Sequence, residues 1–171
     1  MKRPLIVLDL DNTLIFSSEV IYGRVPNGEM VFEDMITYER PHLQSFLDWL
    51  FSRFQVAVWT AGTLEYAVKI VAHFVLPENR PGRKIQFLFH RTDVEAANNM
   101  YGGLKDLRYI NDIYPNRFGK IILVDDHFEA KMTNGDKCLQ VPGFGGNYQT
   151  SNMMLNDKEL LNIINDLNFI Y

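Results

Sequence analysis

Three short apolar runs, each followed at once by a polar side chain, constrain the fold of this chain more than any other feature of its sequence. Apolar runs of strand length without alternation are typical of strands that are buried on both faces of a parallel sheet. The runs are residues 5–8 before Asp9, residues 56–59 before Thr60, and residues 121–124 before Asp125 and Asp126. Weaker candidates for two further strands are residues 85–89 and 138–141.

Apolar residues at helical spacing lie between and after these runs. Spacings of three and four residues place apolar side chains on one face of a helix, which then packs on the sheet. The repeats are Leu43, Phe46, Leu47 and Leu50 after Pro41; Leu64, Ala67, Val68, Val71 and Val75; and Leu160, Leu161, Ile164 and Leu167. Strands that alternate with helices predict a doubly wound α/β fold with a parallel sheet.

A chain of 171 residues, of which 47% are apolar, fits one ordinary domain, so we predict a single domain over residues 1–171. The segment 16–40 interrupts the alternation. Within it, Pro26, Asn27 and Gly28 predict a hairpin turn between two short β-prone flanks. We interpret this segment as a short flap beside the site, and we expect no large cap domain.

Charge and composition exclude several classes of function. A net charge of −4 disfavours binding along a nucleic-acid backbone, although the basic cluster of Arg80, Arg83 and Lys84 leaves a local site for one phosphate open.

No apolar run reaches the roughly 20 residues that cross a bilayer, so we expect no membrane association. Cys138 has no partner for an internal disulfide, which fits a reducing compartment. We expect a cytoplasmic protein, with the nucleus not excluded. The sequence does not indicate an oligomeric state.

The polar residues that follow the three runs are predicted to meet. In an open parallel sheet, ligands bind at the carboxyl ends of the strands, so Asp9, Thr60 and the pair Asp125 and Asp126 converge on one place. If the first strand continues, Asp9 and Asp11 project to the same side of the sheet. One carboxylate can then attack phosphorus while the other transfers protons, which divides a difficult hydrolysis into two easier steps.

Several carboxylates in one pocket require compensating positive charge. Mg²⁺ prefers carboxylate oxygens, water and a substrate phosphate as ligands, so we expect it as the cofactor. Its candidate ligands are Asp9, Asp11, Asp125 and Asp126. A lysine near the nucleophile would neutralise the rest. Lys105 is the best candidate by its order in the chain, with Lys84 and Lys120 as rivals.

The opening acidic segment has a competing interpretation as a calcium-binding loop, because Asp-x-Asp-x-Thr begins some of these loops. Leu14 stands at the sixth position, where glycine is required, and Val20 stands at the twelfth, where glutamate is required. The segment also follows a strand. We therefore disfavour a calcium loop.

Four features in this order resemble the four motifs of the haloacid dehalogenase superfamily of phosphatases. They are the Asp-Leu-Asp-Asn-Thr segment at 9–13, the Val-Trp-Thr-Ala-Gly segment at 58–62, Lys105, and the Val-Asp-Asp segment at 124–126. Three more features resemble the FCP/SCP-like group within this superfamily. They are Arg40 and Pro41 before the first predicted helix, Phe89-His-Arg91 at the end of the predicted strand 85–89, and a closing strand near Val141. This group dephosphorylates serines in the tail of RNA polymerase II. The resemblance covers nearly the whole chain.

The resemblance implies a role for each matching residue. Asp9 would be the nucleophile that carries an aspartyl-phosphate, and Asp11 the acid and base, with its backbone carbonyl on Mg²⁺. Asp125 and Asp126 would complete the metal site, the second more directly. The implied catalytic set is Asp9, Asp11, Thr60 and Lys105. The implied substrate-binding set is Thr13, Thr60, Ala61, Gly62, Arg91 and Lys105.

Some features depart from this pattern or allow two readings. Asn12 stands where many members have glutamate, and the segment Asp126-His127-Phe128 stands where many have Asn-Ser-Pro; both departures bear on the choice of substrate. Arg91 either binds phosphate or pairs with Asp93. The loop 142–146 makes a turn or cradles a phosphate. The four histidines lack the spacing of metal ligands, so we predict structural or surface roles for His42, His73, His90 and His127.

We therefore predict a Mg²⁺-dependent phosphomonoesterase that acts on phosphoserine or phosphothreonine in a phosphoprotein or phosphopeptide, because an open site under a short flap admits large substrates. A phosphatase of nucleic-acid ends or small metabolites is the alternative enzyme. A non-catalytic binding module of the same fold, as in a receptor component of mitochondrial protein import, is the alternative from another class.

Overall fold

The elements of this computed structural model, which describes residues 2–19, 30–32, 34–146 and 149–171, alternate between strand and helix along most of the chain. In chain order they are β1 (Leu5–Leu8), β2 (Ile15–Ser18), β3 (Met30–Phe32), β4 (Met35–Glu39), α1 (Leu43–Arg53), β5 (Gln55–Trp59), α2 (Leu64–Ile70) with a π-helical turn (Val71–Val75), β6 (Ile85–Phe89), α3 (Arg91–Tyr101), α4 (Arg108–Ile113), β7 (Ile121–Asp125), α5 (Phe128–Asn134) with a 3-10 turn (Gly135–Lys137), β8 (Cys138–Gln140), α6 (Ser151–Leu155) and α7 (Glu159–Ile170).

The central sheet has five parallel strands in the order β6-β5-β1-β7-β8. Strand β1 lies in the middle, with Leu5 opposite both Gln55 and Ile121. From β1 the chain builds outward first to β5 and β6 and then, on the other side, to β7 and β8. This reversal of direction is the doubly wound topology that the sequence predicts, and the prediction of the fold class is confirmed.

Both faces of the sheet are covered, which explains why the strands are apolar without alternation. Ile6 and Leu8 pack in one core with apolar residues of α1, the π-helical turn and α7. Leu5 and Val7 pack in a second core on the opposite face, with residues of α3, α4 and α5. All four residues of β1 have no solvent exposure.

One predicted helical face is wrong in detail. The repeat that follows the second apolar run places Leu64 and Val68 on the buried side, yet these side chains are 48% and 50% exposed. Ala67, Val71 and Val75 of the same repeat are buried as predicted, whereas Leu64 and Val68, which precede the π-helical turn, are not. Ile70 and Phe74 are buried instead.

A small antiparallel sheet, in the order β2-β4-β3, follows the central strand β1 in the chain. Strand β4 pairs with β3, with Phe32 opposite Met35, and with β2, with Ser17 opposite Thr37. This sheet corresponds to the predicted flap. The predicted turn at Pro26, Asn27 and Gly28 lies outside the described residues. In the described part of the chain, no helix has the length and apolar character that crossing a membrane requires.

Candidate active site

Asp9 follows β1 directly and is almost fully buried, at 2% exposure. Its backbone amide donates to Val124 O at 3.0 Å, so the parallel ladder with β7 extends to this residue. Its two carboxylate oxygens have different partners: Lys105 Nζ lies 2.7 Å from Oδ1, and Thr13 Oγ1 donates to Oδ2 at 2.8 Å. Burial raises the pKa of Asp9 although Lys105 opposes this shift.

Lys105 comes from the connection after α3 and has no solvent exposure. Its backbone φ of +50° lies in the left-handed region, and Asn134 Nδ2 holds its carbonyl at 3.0 Å. Its ammonium contacts Asp125 Oδ2 at 2.7 Å as well as Asp9. The rivals for this role, Lys84 and Lys120, are exposed, and Lys120 lies over the ring of Tyr171.

Thr13 connects the first acidic segment with the last one. Its hydroxyl lies 3.1 Å from Asp126 Oδ1 and accepts the Asp126 amide at 3.1 Å, in addition to its bond to Asp9. The tight turn that places it closes through Leu14 N and Leu10 O at 2.8 Å. Asn12 adopts a φ of +62° in this turn, a conformation that asparagine tolerates better than most residues.

Asp11 is placed by this turn and not by continuation of the strand. Strand β1 ends at Leu8, so the alternation argument does not extend to Asp11. Its Oδ1 instead accepts a hydrogen bond from the phenol of Tyr66 at 2.5 Å. Burial raises the pKa of Asp11. Burial also raises the pKa of Tyr66, which keeps the phenol neutral.

Thr60 ends β5 with no solvent exposure and begins a polar turn. The amide of Gly62 donates to Thr60 Oγ1 at 3.1 Å, so the turn folds back on this hydroxyl. Arg91, the first residue of α3, is tied to the same turn. Its amide donates to Gly62 O at 2.9 Å and its Nε to Ala61 O at 3.3 Å. Asp93, the alternative partner of Arg91, accepts hydrogen bonds from other groups. These are the amide of His90, which caps the helix, and the hydroxyl of Tyr109.

The acids that end β7 have unequal freedom. Asp125 is fully buried, and its Oδ2 accepts a hydrogen bond from the Lys105 ammonium. Its Oδ1 accepts a hydrogen bond of 2.9 Å from the His127 amide and lies 2.7 Å from His127 Nδ1. Asp126 Oδ1 lies near Thr13 and 3.4 Å from His127 Nδ1, and within the described residues its Oδ2 has no hydrogen-bond partner. Asp126 is therefore the acid with a free oxygen.

His127 is the residue of this cluster that the spacing argument missed. One potential ligand atom from each of Asp9, Asp125, Asp126 and His127 lies within 4.8 Å of the others. The hydrogen bond to Asp125 raises the pKa of His127 to about 9. The signal in the sequence was its direct adjacency to Asp125 and Asp126.

Arg40 was named only as a feature of the resemblance, so its role in the site was missed. Its side chain is fully buried. Its guanidinium forms two hydrogen bonds of 2.9 Å with the carboxylate of Asp157. It also donates to Thr13 O at 3.0 Å and to Pro142 O at 2.8 Å, and it lies 5.4 Å from the ring centre of Phe144. One side chain thus joins the turn after β1, the loop after β8 and the start of α7.

The loop 142–146 packs on the turn after β1. The amide of Phe144 donates to Asn12 O at 2.7 Å, and Asn12 Nδ2 donates to Phe144 O at 3.1 Å. Gly145, at a φ of +82°, leaves so little space that a Cβ there would lie 2.1 Å from the ring of Phe16. These contacts give the loop a role in packing, which favours the interpretation of residues 142–146 as a turn over that of a phosphate cradle.

This chain has relatives among known phosphatase-like proteins. The family model of the NLI interacting factor-like phosphatases matches residues 4–171. The putative CTD phosphatase-like protein 355R of Invertebrate iridescent virus 3 is 33% identical over 95% of this chain and 94% of its own length. The protein of the same name from Invertebrate iridescent virus 6 is 31% identical over 95% of this chain and 96% of its own length.

Two solved structures share the fold at low sequence identity. Fcp1, described as an essential RNA polymerase II CTD phosphatase, matches with a TM-score of 0.64 at 16% identity over 99% of this chain. A variant of the fission yeast CTD phosphatase Fcp1 bound to beryllium fluoride matches with a TM-score of 0.58 at 17% identity, also over 99% of this chain. The chain spans 63% and 50% of the length of these two proteins.

These matches confirm the resemblance to the FCP/SCP-like group that the motifs indicate. The family model covers nearly the whole chain, and two relatives above 30% identity are covered along nearly their whole length. This chain therefore belongs to the NLI interacting factor-like phosphatases.

Proposed function

We propose that this phosphatase is a Mg²⁺-dependent phosphomonoesterase in which Asp9 is the nucleophile and an aspartyl-phosphate is the intermediate. The observation that carries the proposal is the contact of 2.7 Å between Lys105 Nζ and Asp9 Oδ1 in a fully buried pair. A lysine in this position offsets the charge of both the nucleophile and an incoming phosphate. With Oδ2 held by Thr13, the carboxylate also has a fixed orientation.

The donor set fits a magnesium ion. Asp9, Asp11 through its backbone carbonyl, Asp125 and Asp126 are the candidate ligands. Of the two acids at the end of β7, Asp126 is the one whose Oδ2 has no hydrogen-bond partner among the described residues. Asp125 already has partners on both oxygens, so we assign it to orienting Lys105 and His127. Bound Mg²⁺ would supply positive charge next to the transferring phosphoryl group.

In the first step, a carboxylate oxygen of Asp9 attacks phosphorus and the bond between phosphorus and the leaving oxygen breaks. The carboxyl of Asp11 gives its proton to that leaving oxygen, so the alcohol departs neutral. The raised pKa of Asp11 supports this role, because burial favours the protonated form that an acid requires.

In the second step, the Asp11 carboxylate takes a proton from water, and the water oxygen attacks phosphorus. The bond between phosphorus and the Asp9 oxygen breaks, which releases inorganic phosphate. Asp9 returns to a carboxylate and Asp11 to the protonated acid, so the cycle is closed. Thr60, Ala61, Gly62 and Arg91 would bind the phosphate oxygens, since Thr60 Oγ1 and the Gly62 amide lie at the end of the adjacent strand β5.

We further infer that the substrate is phosphoserine or phosphothreonine in a protein. Two viral relatives carry the name of putative CTD phosphatase-like proteins, and the two solved structures are of a phosphatase of the RNA polymerase II CTD, a protein segment. Above the site, the described residues supply the small three-stranded sheet and no larger cap. Such a site leaves space for the chain on either side of a phosphorylated residue.

The test compares phosphate release from a phosphoserine peptide, a 3′-phosphorylated oligonucleotide and sugar phosphates, with Mg²⁺ and with excess chelator. We expect turnover on the peptide only, lost on chelation, and mass-spectrometric detection of phosphorylated Asp9 after rapid quench. Asp9→Asn should abolish both signals, whereas Asp112→Asn, which changes an exposed carboxylate, should leave them unchanged. Preference for another substrate would reassign the specificity. Full activity in chelator would contradict the metal dependence.

A further inference from the structure

The phenol of Tyr66 is the hydrogen-bond partner of Asp11 in this site. Tyr66 lies in α2, half-buried, and its hydroxyl donates to Asp11 Oδ1 at 2.5 Å. The two residues are 55 positions apart, so the contact depends on the packing of α2 beside the turn after β1. A short hydrogen bond to a carboxyl oxygen fixes the rotation of the whole group.

Two further hydroxyls continue this contact into the small antiparallel sheet. Ser17 Oγ lies 3.1 Å from the Tyr66 hydroxyl, and Thr37 Oγ1 lies 2.7 Å from Ser17 Oγ. Ser17 of β2 and Thr37 of β4 are directly opposite each other in the sheet. Thr37 has no solvent exposure. The row of hydroxyls is therefore anchored in the interior.

The direction of every bond in this row follows from counting protons. Each hydroxyl has one hydrogen to donate. Tyr66 donates its hydrogen to Asp11, so in the bond between Ser17 and Tyr66 the donor is Ser17. Because Ser17 has no second hydrogen, Thr37 is the donor in the bond between Thr37 and Ser17. All three bonds point toward Asp11, and hydrogen bonds arranged in one direction polarise and strengthen one another.

The ring of Tyr66 is also held in place by its surroundings. A Cβ at Gly62 would lie 2.8 Å from Tyr66 Cδ1, so the ring occupies the space that glycine leaves open. On another side, the ring centre of Phe32 in β3 lies 6.1 Å away. The phenol therefore has one position, between the turn after β5 and the small sheet.

We propose that Tyr66 is the positioning residue for the acid of this reaction, and that the small antiparallel sheet, through Thr37 and Ser17, holds it in place. The proposal rests on the proposed role of Asp11. The phenol donates to Oδ1, which leaves Oδ2 as the Asp11 oxygen that can carry the proton for the leaving group. The bond also prevents rotation of the carboxyl away from the leaving oxygen. Tyr66 itself transfers no proton to the substrate.

A positioned acid matters most when the leaving group is a poor one. An alkoxide or a phenolate of weakly acidic phenol needs a proton as it departs, whereas 4-nitrophenolate leaves without one. Loss of the Tyr66 hydroxyl should therefore slow the first step in proportion to the basicity of the leaving group. A general loss of structure would slow all substrates by the same factor.

The experiment measures single-turnover release of phenol from a series of aryl phosphates, from 4-nitrophenyl to phenyl phosphate, with Mg²⁺ present. For Tyr66→Phe we expect a rate near wild type on 4-nitrophenyl phosphate and a loss of about ten-fold on phenyl phosphate, a part of the 10²–10⁴-fold that acid catalysis supplies. Ser17→Ala, which keeps the Tyr66 phenol, should show a smaller loss of rate with the same dependence on the basicity of the leaving group. Tyr101→Phe is the matched control, since its phenol donates to the carboxylate of Asp112 on the outer helices.

The outcomes separate this inference from the proposed function. If Tyr66→Phe loses the same factor in rate on every aryl phosphate, or loses no rate on any of them, the positioning role is overturned. Turnover by the wild-type protein would still support the proposed function in that case. Release of no phenol by the wild-type protein from any substrate overturns the proposed function itself. If Tyr66→Phe unfolds, the dependence in Ser17→Ala decides: a uniform rate change there overturns the inference.

Discussion

The ammonium of Lys105 bridges two carboxylates, at 2.7 Å from Asp9 Oδ1 and 2.7 Å from Asp125 Oδ2, in a place without solvent exposure. Burial alone would lower the pKa of Lys105, but the two acids raise it above the usual value, so the side chain stays charged. Strands β1 and β7 are thus joined at their carboxyl ends by one cation. The stability of the fold and the charge of the site depend on the same residue.

The first prediction concerns this cation. Lys105→Met should destabilise the protein by about 3–5 kcal/mol, because removal of one partner leaves buried acids without compensation. Urea unfolding followed by tryptophan fluorescence measures the change. Mg²⁺ should restore part of the stability by binding these uncompensated acids. Lys84→Met, at a solvent-exposed position, is the control. A loss in Lys105→Met no larger than in this control would contradict the bridging role.

The second prediction separates the two acids after β7. Asp126→Asn should weaken Mg²⁺ binding by about 10–100-fold, because it changes the acid that has a free oxygen. Asp125→Asn should lower the free energy of unfolding more than Asp126→Asn, because both oxygens of Asp125 already hold Lys105 and His127. Isothermal titration calorimetry and urea unfolding measure the two effects. The reverse order in both measurements would exchange the assigned roles.

The third prediction concerns pH. Burial raises the pKa of Asp9 from its ordinary value of 3.8 to about 8. Between these values, the folded metal-free protein holds a proton that the unfolded chain releases, so this contribution to stability is present below about pH 4 and is lost as the pH rises through about 8. The urea midpoint of the metal-free protein should therefore fall over this range relative to Asp9→Asn. Parallel profiles of the two proteins would show that Asp9 does not titrate there.

The fourth prediction concerns the space beside Tyr66. Gly62→Ala places a Cβ 2.8 Å from Tyr66 Cδ1, so the ring must move and its bond to Asp11 must lengthen. Turnover of a phosphoserine peptide should fall by about ten-fold or more, since displacement of a group by about 1 Å costs up to 10²-fold. Gly82→Ala, where a Cβ meets no atom within 4 Å, is the control. Equal activity of the two variants would show that the ring tolerates the shift.

Much of the fold follows from the sequence because strands buried on both faces leave an unambiguous apolar signal. The runs before Asp9 and Thr60 become β1 and β5, and the run before Asp125 becomes β7, each within one residue of its predicted bounds. The rule that binding residues follow such strands then brings the right acids together. The helices α3 to α6 escaped the pattern analysis. Helices α4, α5 and α6 are too short to provide repeats, and the 11 residues of α3 include one buried side chain, that of Ala97.

The residues that sequence reasoning missed act through contacts between distant parts of the chain. Tyr66 reaches Asp11 across 55 positions, and Arg40 reaches Asp157 across 117. Neither contact has a local pattern, since a tyrosine in a helix and an arginine before a proline are common features. Lys105 was preferred to its rivals by its order in the chain and by resemblance to a family, and by no local pattern, because its approach to Asp9 depends on the same kind of long-range packing.

The pairing of Arg40 with Asp157 sets an order of events during synthesis of the chain. The 117 positions between them take on the order of ten seconds to translate at about 5–20 residues per second. Until residue 157 has left the ribosome, the guanidinium that holds Thr13 O and Pro142 O lacks its counter-charge, and an unpaired arginine remains in water rather than in the interior. The turn that orients the nucleophile is therefore completed late, so a growing chain that already has Asp9, Thr60, Lys105 and Asp126 is still without a finished catalytic centre.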